Sequence, residues 1–247
     1  LSGLQLLDSH DPELLETTRA VMERQLYHMV RLVDDLMDLS RINRGKLELR
    51  TDKVDLKEVI RSAVEVSRPL IDAKGHHLRI HAEENALVVK GDQVRLAQVV
   101  SNLLNNSAKY TPPGGTIDLA LGRKGEDAAI RVTDNGMGLE RDAVSSIFDM
   151  FTQLDGSLNG AGGLGIGLSI AKQITEGHGG TLSVASEGRG RGSTFTLTLP
   201  LEERCHIPPT PRPEGMATHA RALRILVGDY NTDAATMLTQ LLLKTGH

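Results

Sequence analysis

Asp134-Asn135-Gly136-Met137-Gly138-Leu139 decides how this chain is read. An acid closes an apolar segment, and alternate glycines follow it. Downstream, Gly160-Ala161-Gly162-Gly163-Leu164-Gly165-Ile166-Gly167-Leu168 runs straight into an apolar helix pattern. Together the two stretches read as two walls of a nucleotide pocket. Neither is specific alone, because glycine serves any turn that needs positive φ and short glycine motifs recur by chance. The segments around them must supply the third wall.

Immediately upstream, Thr116 to Leu121 and Ala128 to Thr133 read as strands separated by Gly122 to Asp127, a hairpin that leads into Asp134. Before that hairpin, Asp92 to Thr111 is helical by period, and Pro112-Pro113-Gly114-Gly115 stops it. Asn102, Asn105 and Asn106 lie on that helix, although asparagine competes for backbone hydrogen bonds and favours helices little. Asn102 and Asn106 share a face, with Lys109 one turn on. Amide oxygens and an ammonium along one line suit a hard cation and the phosphates it bridges; the other reading is a solvated polar face.

Downstream of Leu139 the chain is polar until Ile147-Phe148-Asp149-Met150-Phe151, a small apolar anchor holding two of the three phenylalanines. The helix after the glycine run extends through Leu168, Ile170, Ala171 and Ile174 to Gly177. Strands Thr181 to Ala185 and Ser193 to Leu199, joined across Gly188 to Gly192, complete an α/β domain ending near Pro200. On the N-terminal side, Asp55 caps a second apolar-periodic segment running to Gly75, and His77 to His81 and Ala86 to Val89 read as short strands. Pro12 to Arg44 is a long helix whose stripe includes Val21, Leu26, Met29, Val33 and Leu36. Seven preceding residues cannot cover such a stripe, so it packs on another helix, upstream or from a second copy, as in a bundle or coiled coil.

Composition bounds the remaining classes. The 247 residues are 39% hydrophobic with a formal net charge of −4, which excludes a disordered chain and gives no sign of a nucleic-acid binder. Aromatics are 2%, so the core is aliphatic. The lone Cys205 allows no internal disulfide and fits a reducing compartment. No apolar run approaches the roughly 18 to 20 residues that span a bilayer. The chain opens at Leu1 and reads as a piece of a longer protein.

Four motifs in order carry a family resemblance. Asn102-Leu103-Leu104-Asn105-Asn106 with Lys109-Tyr110-Thr111 resembles the N box of sensor histidine kinases, Asp134 to Gly138 their G1 box, Phe148 to Phe151 their F box, and Gly163 to Leu168 their G2 box. Arg31-Leu32-Val33-Asp34-Asp35-Leu36 resembles the second helix of the family's dimerisation domain. The resemblance implies an α+β fold: a two-layer α/β sandwich of the Bergerat or GHKL type over 52–202, preceded by a helical-hairpin dimerisation segment over 1–51. It implies ATP and Mg²⁺ as cofactors. Asp134 would accept from the adenine amino group, and Gly136 and Gly138 would let backbone approach base and sugar. Asn106 would ligate Mg²⁺ with Asn102 assisting, Lys109 would offset phosphate charge, and Tyr110 would lie near adenine and ribose. Gly163, Gly165 and Gly167 would cradle phosphates at a helix N-terminus, with Phe151, Leu164, Ile166, Leu168 and Thr194 completing the nucleotide site. Partners would be a second copy through helix 12–44 and a response regulator or receiver domain, in the cytoplasm, with no nucleic acid and no membrane contact.

Two departures qualify this. The family's acceptor histidine is followed by an acid and a Leu-Arg-x-Pro-like run, a context absent around all nine histidines; His10 precedes Asp11-Pro12 but sits in a turn. The acceptor is therefore expected upstream of Leu1, and the chain is expected to bind ATP without labelling itself. After a proline-rich linker over 203–221, residues 222–247 resemble the first strand and helix of a receiver domain, implying a hybrid kinase, with Tyr230 where the second metal-binding acid belongs. Two alternatives stand beside the kinase. One is a nucleotide-binding scaffold without phosphotransfer. The other is a GHKL ATP hydrolase, disfavoured because Asn102 stands where such enzymes carry a glutamate base.

Overall fold

The structure, a computed structural model, describes residues 49–152 and 165–202, together with scattered helical positions between 18 and 37. The chain divides into two compact units, Leu1–Glu203 and Arg204–His247, and the described residues all fall in the first. The linker and receiver-like segment read from the sequence lie outside the described residues.

Asp55 is the N-cap of α1 (Leu56–Ala73), its carboxylate accepting the Lys57 N–H, and it also ends β1 (Asp52–Asp55). Opposite β1 runs β3 (Val88–Gly91), antiparallel, in a small two-stranded sheet. Asp92 caps α2 (Gln93–Tyr110) through the Val94 and Arg95 N–H groups, and the helix stops one residue before Thr111-Pro112, since a proline restricts its predecessor to extended backbone. The main sheet contains β2 (His77–Ala82), β4 (Thr116–Lys124), β5 (Asp127–Asp134), β6 (Thr181–Ala185) and β7 (Ser193–Pro200). Their order is β2-β4-β5-β7-β6, with only the β2–β4 pair parallel.

Period two decides which face is buried. Ile117, Leu119 and Leu121 stand opposite Asp134, Val132 and Ile130, and the latter face Ser193, Phe195 and Leu197 on β7. This row makes one continuous core with Leu96, Leu103 and Leu104 of α2, Val59 and Ile60 of α1, and Ile170 and Ile174 of α4 (Gly167–Gly177). The result is a mixed five-stranded sheet with packed helices, the α+β architecture the motifs imply.

Two elements differ from the sequence reading. The β4–β5 hairpin was expected to open at Gly122; instead the strands continue to Lys124 and Asp127, leaving Gly125-Glu126 as the turn. The charged tip looked like loop because both of its faces are wet. The polar stretch after Leu139 contains α3 (Arg141–Ser146), which buries none of its residues and so carries no apolar period. Among the described residues no helix is long and apolar enough to cross a membrane.

Candidate functional site

Asp134 ends β5 on the row that carries Ile130 and Val132 into the core, so a carboxylate stands where an apolar side chain is due. It is 6% exposed. A carboxylate buried to that degree needs its lone pairs taken. The Ser107 and Ser193 hydroxyls donate to Oδ2 at 3.2 and 2.7 Å, and the Gly136 N–H donates to Oδ1 at 2.9 Å. A carboxylate offers about four acceptor positions, so one on Oδ1 is still open. Beside it lies a pocket lined by Asn106 and Tyr110 of α2, Met137, Gly138 and Leu139 after β5, Ile147, Leu168 of α4, and Ser193 and Phe195 of β7.

The turn that forms the pocket's rim is held from two sides. The Met137 N–H donates to the Tyr110 carbonyl, which ties the turn to the end of α2. On the other side, the β6–β7 loop receives it: Gly190 N–H donates to Met137 O, Gly192 N–H to Gly136 O, and Arg189 pairs with Glu140 at 2.6 Å. Gly138 has φ 66°, and a Cβ there would lie 2.1 Å from the Gly188 carbonyl. Glycine is therefore required both by the turn and by the close approach. Ser186 closes the strap, accepting the Leu139 N–H at 2.9 Å and donating to Gly192 O at 2.7 Å. Ser186→Ala leaves both groups to find other partners and is expected to destabilise the domain by about 1–2 kcal/mol, a fall of a few degrees in Tm by calorimetry. An unchanged Tm would mean that the strap is redundant.

On α2, Asn102 is buried and its Nδ2 donates to Gly167 O at the start of α4, 3.1 Å away. One turn later the amide of Asn106 reaches the pocket. It makes no hydrogen bond to another described residue. The Lys109 ammonium lies 4.8 Å from the centre of the Tyr110 ring. The C-terminal carbonyls of α2 receive Lys74 Nζ, at 2.9 Å from Ala108 O and 2.8 Å from Lys109 O, and His76 Nε2 at 2.9 Å from Ala108 O. A lysine is well placed at the negative end of a helix. Burial first, and the neighbouring Lys109 ammonium second, hold the Lys74 amine below the usual lysine range.

Of the residues singled out by sequence, Asn106, Tyr110, Asp134, Gly138 and Leu168 meet in the pocket. Gly136 joins through its backbone, while Ile166 is buried as the residue preceding α4. Gly163 and Leu164 lie outside the described residues. Two of the residues singled out lie away from this pocket. Thr194 was expected in the nucleotide site, but it is one position out of register: it points to the opposite face of the sheet, its hydroxyl 3.2 Å from that of Thr133, and Ser193 occupies the pocket instead. Phe151 does not line the pocket either. It is 64% exposed, with φ 64° and its N–H on Gly165 O, whereas Phe148 packs edge-on against Phe195, 6.5 Å between ring centres. Sequence reading missed Ser107, Ser193 and Ser186, whose contacts span 27, 59 and 47 positions and leave no local signal.

Among the described residues no group of three or more His, Cys, Asp or Glu side chains is placed to hold a metal. The donor set instead offers one free amide oxygen, Asn106, at the pocket wall. That fits Mg²⁺, which keeps several waters and is commonly held by one or two protein oxygens plus substrate phosphates.

Residues 91–203 match the family described as histidine kinase-, DNA gyrase B-, and HSP90-like ATPase. The circadian input-output histidine kinase CikA of Synechococcus elongatus is 33% identical over 222 residues, 89% of this chain and 29% of that protein. The sensor protein DivL of Caulobacter vibrioides is 33% identical over 216 residues, 83% of this chain and 26% of that protein. The chain thus spans less than a third of the length of these curated relatives. Among solved structures, full-length ShkA in complex with AMPPNP superposes with a TM-score of 0.65 at 26% identity, covering 81% of this chain and 42% of that one.

Proposed function

Residues 91–203 belong to the histidine kinase-, DNA gyrase B-, and HSP90-like ATPase family, and from that premise we propose that the chain is the ATP-binding catalytic part of a sensor histidine kinase. In this reading it transfers the γ-phosphoryl group of ATP to a histidine on a dimerisation helix and so feeds a phosphorelay in the cytoplasm. The observation that carries the proposal is the pairing, in one pocket, of a buried carboxylate with an open acceptor position and an Asn106 amide that bonds to no other described residue.

Each residue then has a task. The open Oδ1 position of Asp134 accepts from the exocyclic amine of adenine, while Ile147, Leu168 and Phe195 exclude water around the base. Asn106 would hold Mg²⁺, which would draw charge from the phosphates, and Lys109 adds a positive group on the same helix. The start of α4 offers N–H groups to phosphate. Such chemistry is positioning and electrostatics rather than covalent participation by the protein. A hydrolase is less well supported, because the Asn102 amide is buried and bonded to Gly167 O and cannot take a proton from water.

A second copy is the natural partner of the N-terminal helix. Leu26, Met29, Val33 and Leu36 recur at steps of three and four, and each is more than half exposed, a stripe that in water seeks a matching helix. A response regulator or receiver domain is the proposed recipient of the phosphoryl group.

The test supplies γ-labelled ATP and a separate histidine-bearing dimerisation helix to the full chain. The expected product is that helix labelled on histidine, in an acid-labile, alkali-stable bond. Nucleotide binding without transfer would establish the scaffold reading instead, and release of free phosphate alone would establish the hydrolase.

A further inference from the structure

His178 follows α4 directly, is 8% exposed, and belongs to no part of the pocket. Its two ring nitrogens have opposite duties fixed by their partners. Nδ1 faces the Ile174 carbonyl at 2.7 Å and must donate; Nε2 faces the Asp92 N–H at 2.9 Å and must accept. Asp92 is the N-cap of α2, so one imidazole ties the end of α4 to the beginning of α2. The ring is given its place by Gly91, where a Cβ would stand 2.7 Å from His178 Cδ2.

A second bond joins the same two helices at their other meeting point, Asn102 Nδ2 to Gly167 O. The helices are therefore antiparallel, and these two bonds lie about 15 Å apart along α2. One bond lies at the pocket end, one turn from Asn106; the other is made by His178, which does not line the pocket. Ile170 and Ile174 pack α4 against α2 along its length, and the two bonds fix its register at either end. We infer that His178 is a positioning residue for the polyphosphate half of the site, setting the start of α4 against Asn106 through the clamp on Asp92. Asp134 and the turn after it are held by β7, the β6–β7 loop and Tyr110 O, so the acceptor for the base does not depend on this clamp, and of the base half only Leu168 is carried by α4.

The inference rests on the ATP reading proposed above. Its test measures the affinities of the full chain for Mg·ATP and for adenosine, since adenosine touches only the base half. His178→Asn keeps a donor for Ile174 O and removes the acceptor for Asp92; it is expected to weaken Mg·ATP binding about tenfold with a much smaller change in adenosine affinity. His178→Gln, which carries an acceptor out to the reach of Nε2, restores most of the loss. Gly91→Ala leaves the imidazole in the chain but pushes it aside, its Cβ also meeting Leu96 Cδ1 at 2.9 Å, and reproduces the greater loss for Mg·ATP than for adenosine; should His178→Asn not fold, that ratio in this variant carries the test. Equal loss for both ligands, or for neither, in a wild-type background that binds Mg·ATP would overturn the inference alone. A wild-type chain that binds no Mg·ATP would overturn the nucleotide reading and the inference with it.

Discussion

Asp134→Asn is expected to lower ATP affinity by about a hundredfold, roughly 2.7 kcal/mol, while leaving the domain folded. The three donors that hold the carboxylate explain both halves of this expectation. Two are hydroxyls, Ser107 and Ser193, which rotate and accept from an amide as readily as they donate to a carboxylate. The third, Gly136 N–H on Oδ1, is satisfied by the amide oxygen. What the substitution removes is the negative charge and one free choice of acceptor. A hydrogen bond to a charged group contributes about 1.5–3 kcal/mol, and if the amide turns its NH₂ toward the base, two donors are left face to face in a dry pocket. Guanine, with a carbonyl where adenine has its amine, meets the wild-type carboxylate as acceptor against acceptor, so GTP is expected to compete poorly and to gain relative to ATP in the variant. Calorimetric titration of ATP and GTP against both proteins checks this, and an unchanged ATP affinity would place the base elsewhere.

The legibility of the sequence divides along one physical line. Features set by neighbours in the chain could be read: Asp92 and Pro112 bound α2 because caps and prolines act within a turn, and Asp134 stands out because an acid closes an alternating apolar strand. Features set by distant partners could not. Ser107 and Ser193 look like ordinary small residues until β5 and β7 come into register, and that register also separates Ser193 from Thr194. A shift of one position in a strand reverses the face, so Ser193 lines the pocket while Thr194 faces Thr133. His178 carries no periodic signal either, since its partner lies 86 positions away. The short helix α3 escaped because it buries nothing, and burial is what writes a period into sequence.

Asn106→Ala is expected to have the largest effect on transfer and a small effect on the fold. The side chain is half-buried, makes no hydrogen bond to another described residue, and lines the pocket with Tyr110 and Leu168, so truncating it leaves no buried partner unsatisfied, and alanine is the better helix former by a few tenths of a kcal/mol. Its amide oxygen is nevertheless the protein's direct hold on Mg²⁺ in the proposed site, with the neighbouring Lys109 a diffuse charge that cannot orient a metal. Transfer to a supplied histidine-bearing helix is therefore expected to fall by about 10²–10³-fold, the scale of losing one preorganised electrostatic contact to developing charge, with adenosine binding retained because Asp134 and its three donors are untouched. Asn106→Asp separates the two roles of the amide: it keeps a metal-binding oxygen and so is expected to keep more transfer than alanine at high Mg²⁺, while its added negative charge opposes the phosphates when the metal is scarce. Transfer rates for the two variants across a Mg²⁺ titration decide the matter. If both fall equally at every Mg²⁺ concentration, Asn106 shapes the pocket without holding the metal.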